Sequence, residues 1–145
     1  MTPSRHPQGT LLRGKYRVER VLGCGGMGTV LQAIHLDLER HVAIKVLHEE
    51  LRTNLEIVER FVREGKAASR IEGDHVVRVL DVDRLEDGTP FLVMELLEGR
   101  DLSYVRKQQT PLAVAEAIAL VLQACVAVGQ AHGKGVIHRD LKPAN

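Results

Sequence analysis

Leu22-Gly23-Cys24-Gly25-Gly26-Met27-Gly28-Thr29-Val30 lies between two apolar runs, and its reading decides the fold. Glycine adopts positive φ freely, so a glycine cluster in that setting is a turn or tight loop. Gly23, Gly25 and Gly28 are spaced as G-x-G-x-x-G, and the absent Cβ atoms let backbone N–H groups approach a phosphate closely. Taken alone, a glycine-rich hairpin turn accounts for the stretch equally well. A dinucleotide site with the same spacing needs a helix directly after the glycines. Val30, Ile34 and Leu38 can mark a helical face, so local periodicity leaves that alternative open. The next strand disfavours it, because Lys45 is a poor match to the acid that grips a ribose.

Outward from the glycines, residues 16–46 are rich in β-branched and aliphatic side chains. His41 to Leu47 alternates, with Val42, Ile44 and Val46 on one side and Ala43, Lys45 and Leu47 on the other. Lys45 therefore sits mid-strand, and an edge strand with its lysine in water is the simplest account. Over residues 54–71 the period becomes helical: Ile57, Phe61, Ala68 and Ile71 recur on one side, Glu59, Arg60, Arg63 and Lys66 on the other. Glu64, three residues after Phe61 and four before Ala68, falls on the apolar stripe. A carboxylate there is costly unless paired. Lys45 from the neighbouring strand would satisfy it and leave the ammonium free for phosphate oxygens. A glutamate at the stripe edge reaching solvent is the commoner arrangement, but the glycine loop upstream favours the pair.

Val76 to Val82 and Pro90 to Glu95 read as strands around an Asp87-Gly88 turn. Leu112 to His132 reads as one long helix ended by Gly133 and Gly135. Its polar residues Glu116, Gln123 and Gln130 recur every seven positions, and nearly all the rest is aliphatic or Cys. Such a helix is of the buried core type, and without partners around it its aliphatic surface is expected to be exposed in this chain. The apolar stretch Leu112 to Val128 is interrupted by Glu116 and Gln123 and falls short of the roughly 20 residues of a membrane span, so no membrane segment is expected. No internal repeat or low-complexity segment interrupts the pattern.

The 145 residues carry 20 Lys+Arg and 19 Asp+Glu, a formal net charge of +1. That balance excludes a basic nucleic-acid binder and an acidic tail-like chain. Aromatics at 3%, with no Trp, argue against a base-stacking platform. Hydrophobic residues at 44% and charged residues at 27% suit a soluble globular protein. The polar start, with Pro3 and Pro7, resembles no secretory signal, and a cytoplasmic location is expected. Cys24 and Cys125 are far apart in unlike contexts and show neither a disulfide framework nor metal-ligand spacing.

His138-Arg139-Asp140-Leu141-Lys142-Pro143-Ala144-Asn145 matches H-R-D-L-x-x-x-N. In order after the glycine loop and Val42-Ala43-Ile44-Lys45, it makes the chain resemble the protein-kinase family from Tyr16 to Asn145, and the Gly25-Gly26-Met27-Gly28 variant is similar to the bacterial serine/threonine branch. The resemblance implies an α+β protein-kinase-like fold: a five-stranded antiparallel N-lobe sheet with one αC-type helix, then the first helices of a helical C-lobe. A flexible arm over residues 1–15 would precede a partial kinase domain over 16–145, with the N-lobe about 16–95, the hinge about 95–100 and an incomplete C-lobe about 101–145.

The resemblance also implies roles. The loop Leu22, Gly23, Cys24, Gly25, Gly26, Met27, Gly28, Thr29 and Val30 would cover the ATP phosphates. Lys45 would hold the α- and β-phosphates, oriented by Glu64. Val30 and Ala43 would sandwich adenine, Met94 would be the gatekeeper, the backbone of Glu95 and Leu97 would meet the base, and Asp101 the ribose. Asp140 would be the catalytic base, Lys142 would neutralise the transferring phosphate, and Asn145 would ligate Mg²⁺. The substrates implied are ATP and proteins bearing Ser or Thr. Glu72-Gly73-Asp74-His75 departs from the proline-containing turn usual before the next strand, and Gly65 should cost its helix roughly 0.8–1.0 kcal/mol relative to Ala.

The family's D-F-G acid, activation segment and A-P-E are expected beyond Asn145. The chain is accordingly read as the N-terminal part of a serine/threonine kinase domain, expected to be inactive alone and, through its apolar helix, to be aggregation-prone, molten in its C-terminal third, or dependent on a partner or chaperone. Two alternatives stand beside it: a non-catalytic nucleotide-binding or interaction module, and a small-molecule kinase of the same fold. Lys142 and the Gly-Gly-Met-Gly loop favour the protein-directed enzyme over the latter.

Overall fold

Residues 6–108 and 111–144 are described by a computed structural model of the chain. Its strands are β1 (Leu11–Leu12), β2 (Tyr16–Cys24), β3 (Gly28–His35), β4 (Arg40–Leu47), β5 (Val79–Arg84) and β6 (Pro90–Glu95). Its helices are α1 (Leu55–Ala68), α2 (Leu102–Lys107) and α3 (Val114–Gly133), with a 3-10 turn at Glu49–Leu51. The strands form one antiparallel sheet in the order β1-β2-β3-β4-β6-β5. The sheet thus has six strands rather than five. The addition is β1, inside the segment expected to be a loose arm: Leu12 is buried, and the Gly9 N–H donates to the Val18 carbonyl at 2.8 Å.

The alternation along β4 is realised. Val42, Ile44 and Val46 enter a core with Tyr16, Val18, Leu31, Ala33, Phe91 and Val93, while Leu47 joins Val58, Phe61 and Leu92 in a second cluster beneath α1. Burial pushes the Tyr16 phenol above its ordinary value, with Asp81 and Asp83 adding to the effect. At the β5–β6 turn Gly88 has φ 86°, which glycine adopts without strain. There the Thr89 N–H donates to the Asp87 carboxylate at 2.9 Å and holds it below the usual range.

α1 starts at Asn54, whose side-chain oxygen accepts the Ile57 N–H at 3.2 Å. It buries Val58, Phe61 and Gly65. A Cβ at Gly65 would overlap the Leu92 side chain, so the propensity lost in glycine is exchanged for close approach of helix to sheet.

The chain divides into two units. One runs to Ser69 and takes in Val77–Leu96; the other comprises Arg70–Val76 and everything described from Leu97 onward. In the second unit Asp101 caps α2 by accepting the Tyr104 N–H at 2.7 Å. α3 ends where Gly135 takes φ 72° and Val136 N–H returns to the Ala131 carbonyl at 2.9 Å. α3 exposes aliphatic surface, as expected for a core-type helix whose partners are not among the described residues: Ala131 is the buried residue of the helix, while Val114, Ile118, Val121, Leu122 and Val126 are each more than half exposed. The helix expected over Leu112 to His132 is present at Val114–Gly133, and what is corrected is the expectation that its apolar stretch is too short for a membrane span. At 20 residues α3 is long and apolar enough to cross a membrane by length and composition.

Candidate functional site

β2 and β3 pair down to Cys24 opposite Thr29, which leaves Gly25-Gly26-Met27 as the hairpin tip. The Gly25 N–H donates to the Gly28 carbonyl at 2.9 Å. Gly28 is obligatory for a reason unrelated to phosphate: a Cβ there would overlap the Val46 carbonyl on β4. Gly23 and Gly26 have open space around them. The stretch is therefore a hairpin followed by a strand, and the dinucleotide-site alternative, which needs a helix after the glycines, is ruled out.

Strand register then gathers the side chains. Directly paired residues share a face of the sheet. Val30 pairs with Lys45, Lys45 with Leu92, and Ala43 with Met94. Val30, Ala43, Lys45 and Met94 consequently lie on one face, the face of Leu92 and Leu47 that α1 covers in part. β4 is flanked by β3 and β6, so Lys45 is a central-strand lysine and the edge-strand account fails. Its ammonium lies 5.9 Å from the centroid of the Phe61 ring, within range of a cation–π attraction.

Glu64 departs from expectation. It is exposed, and its carboxylate lies 4.0 Å from the Arg60 guanidinium in an i,i+4 pair. Among the described residues no ion pair joins it to Lys45. The helical phase explains the error: Val58, Phe61 and Gly65 define the buried line, which places Glu64 one residue off it. A glycine gives no apolar signal in a sequence, so the stripe was drawn through the wrong neighbour.

At the end of β6 the Glu95 main-chain N–H donates to the Arg78 carbonyl at 3.0 Å, and its carboxylate accepts the Arg78 N–H at 2.7 Å. In the second unit Leu97 is exposed, and Oδ1 of Asp101 caps α2. Asp140 and Lys142 meet at 2.6 Å. The Asp140 N–H donates to His138 Nδ1 at 3.4 Å, and Arg139 between them has φ 64°. A non-glycine residue in that region costs of order 1–3 kcal/mol and is found where the surroundings impose it. Asn145 lies outside the described residues, and among those described no group of three or more His, Cys, Asp or Glu could hold a metal ion. Both cysteines are free and exposed. His48, which bonds to the glycine hairpin, was missed by sequence reasoning; its position just after an alternating strand carries no signal of its own.

The chain belongs to the protein kinase family: the protein kinase domain model matches residues 16–145. That match runs through α3, which is thereby a helix of this domain. The serine/threonine-protein kinase pkn3 of Myxococcus xanthus is 44% identical over 137 residues, 94% of this chain and 25% of the relative. The serine/threonine-protein kinase PknH of Mycobacterium tuberculosis is 42% identical over 132 residues, 91% of this chain and 21% of the relative. Among solved structures, the Mycobacterium tuberculosis PknI kinase domain superposes with a TM-score of 0.81 at 32% identity, covering 96% of this chain and 55% of that one. The chain thus spans a quarter or less of the length of these curated relatives, and about half of the solved domain.

Proposed function

We propose that this chain is the nucleotide-holding part of a bacterial-type serine/threonine protein kinase, which transfers the γ-phosphoryl group of ATP to a protein Ser or Thr hydroxyl. The observation that carries the reading is the one sheet face shared by Val30, Ala43, Lys45 and Met94, continuous with the glycine hairpin. Val30 and Ala43 are placed to pack on adenine, Met94 bounds the base, and the backbone at Glu95 and Leu97 supplies its polar contacts. Lys45, already in a central strand, gives the positive charge for the α- and β-phosphates. Asp140 accepts the proton of the attacking hydroxyl, and the neighbouring ammonium of Lys142 offers charge to the transferring phosphate. Asn145 would hold a Mg²⁺ ion, whose charge would shield the phosphates of bound ATP. Asp101, whose Oδ1 caps α2, keeps its second carboxylate oxygen for the ribose. An ATP-consuming domain of this kind belongs in the cytoplasm.

Phosphate transfer from radiolabelled ATP to a Ser-bearing protein, with Mg²⁺ and the whole enzyme to which this stretch would belong, tests the reading together with an ATP-binding titration. Lys45→Met should lower both affinity and transfer. Asp140→Asn should abolish transfer while ATP binding survives, and an Asp140→Asn variant with undiminished kcat would remove the base from Asp140. The exposed position of Glu64 favours a second reading, a module that holds nucleotide without transferring it. ATP binding with no Asp140-dependent transfer by the whole protein selects that module.

A further inference from the structure

One residue holds the glycine hairpin at two points. His48 follows β4 at the head of the 3-10 turn and is half-buried. Its main-chain N–H donates to the Met27 carbonyl at 3.0 Å, and its ring Nε2 lies 2.8 Å from the Gly25 carbonyl oxygen. A carbonyl only accepts, so Nε2 carries the hydrogen in this bond. The Cys24 thiol is 3.9 Å from the same nitrogen, at the limit of a sulfur contact, and the carbonyl is the better partner. Between the two clamped carbonyls stands Gly26, with nothing near enough to restrain it sterically. Glycine has more conformational freedom to lose than any other residue, so the tip needs an external tie to keep one shape. With the Gly25 N–H bonded to the Gly28 carbonyl, the Gly26 and Met27 amides have no protein partner among the described residues. Free successive amides are what an anion takes, and a loop whose carbonyls are already engaged presents less negative charge to it.

We propose that His48 is the positioning residue of the glycine hairpin, clamping the Gly25 and Met27 carbonyls so that the Gly26 and Met27 amides are left for a nucleotide phosphate. The proposal rests on the nucleotide reading of the site. Losing the ring bond should weaken ATP by about five- to tenfold, the loss of one net hydrogen bond. Adenosine, which has no phosphate, should be unaffected.

The test uses the full 145-residue chain with His48→Phe, which removes the donor, and His48→Gln, whose amide restores one. His48→Asn, too short to reach Gly25, replaces the Phe variant if that fails to fold. Amide hydrogen exchange over residues 24–29 is measured without ligand, and ATP and adenosine affinities by titration. Faster exchange and weaker ATP binding in His48→Phe, with adenosine unchanged and both effects reversed in His48→Gln, is the expected result. Wild-type exchange in His48→Phe, or equal weakening of ATP and adenosine, would overturn the clamp. If the wild-type chain binds neither nucleotide nor nucleoside, the nucleotide reading falls, and exchange alone then decides whether His48 holds the hairpin.

Discussion

Ile44 and Leu122 are both aliphatic residues in the middle of regular elements, yet Ile44 is fully buried and Leu122 is 60% exposed. The contrast extends to their surroundings. β4 has β3 and β6 on its two edges, the Phe91 cluster on one face and α1 against part of the other. α3 has comparable apolar content but buries only Ala131 among its twenty residues. Periodicity states how apolar a face is; it does not state what covers it. In the first unit the apolar faces of β4 and α1 find their complements within the described residues, and in the second that of α3 does not.

Truncating a core side chain in each unit should show the largest difference. Phe91→Ala removes a side chain with no exposed surface and should destabilise the sheet by about 3–5 kcal/mol, read from native-state hydrogen exchange of β4 and β6 amides. Leu122→Ala should change the stability of α3 by no more than about 0.5 kcal/mol, the range of an exposed position. Similar losses at the two sites would mean that α3 is covered in solution, by a second copy or by a partner. Binding of a hydrophobic dye then offers an independent check, since an uncovered α3 should bind it and Val121→Gln with Leu122→Gln should suppress the signal.

A smaller effect is expected at the hairpin. Gly28→Ala brings a Cβ against the Val46 carbonyl, and a backbone atom in a central strand has nowhere to retreat. The cost should be about 1–3 kcal/mol, the range for overpacking, with loss of ATP affinity on top. Gly26→Ala, in open space, should leave stability near the wild-type value. Equal effects at the two glycines would show that the hairpin tip is packed in solution and would remove the sheet-contact account of Gly28.

How much of this was legible in the sequence depended on whether the signal was local. The β4 alternation, the β6 boundaries and the Asp87-Gly88 turn were readable because side-chain alternation and turn chemistry are written in adjacent residues. The face shared by Val30, Ala43, Lys45 and Met94 was assembled from the family resemblance; the physical cause, cross-strand register, is a long-range property. Glu64 was misplaced because Gly65 takes the buried position without looking apolar. β1 was missed because two residues carry no measurable period, and α2 was expected only as one of the first C-lobe helices, its bounds unread because six residues hardly exceed one helical turn.

α2 supplies the next contrast, a short helix held by its cap against the longer α1 held by its packing. Asp101→Ala removes the acceptor of the Tyr104 N–H and should cost about 1 kcal/mol. α2 buries no residue, so its amides should exchange at nearly the unfolded rate in the variant. The same change at Asn54 should leave most of α1 protected, because Val58, Phe61 and Gly65 remain packed. Protection of α2 unchanged in Asp101→Ala would mean that contacts rather than the cap define it.

The smallest effect is expected at Glu64, where it discriminates most sharply between two arrangements of the first unit. An exposed i,i+4 pair with Arg60 at 4.0 Å gains little Coulomb energy in water and is screened by salt. Glu64→Gln should therefore change stability by roughly 0.2–0.5 kcal/mol, and added salt should erase even that. A glutamate paired with Lys45 beside the Phe61 ring would behave differently. Its removal would strand an ammonium in a half-buried position, and the loss would persist in salt, since such pairs are poorly screened. Thermal melts of wild type and Glu64→Gln at low and high salt, repeated with Lys45→Met, separate the two. Additive, small, salt-sensitive effects leave Glu64 on the surface with Arg60. A coupled, salt-resistant loss that vanishes in the Lys45→Met background places it against Lys45, and returns the lysine–glutamate pair to the centre of the site.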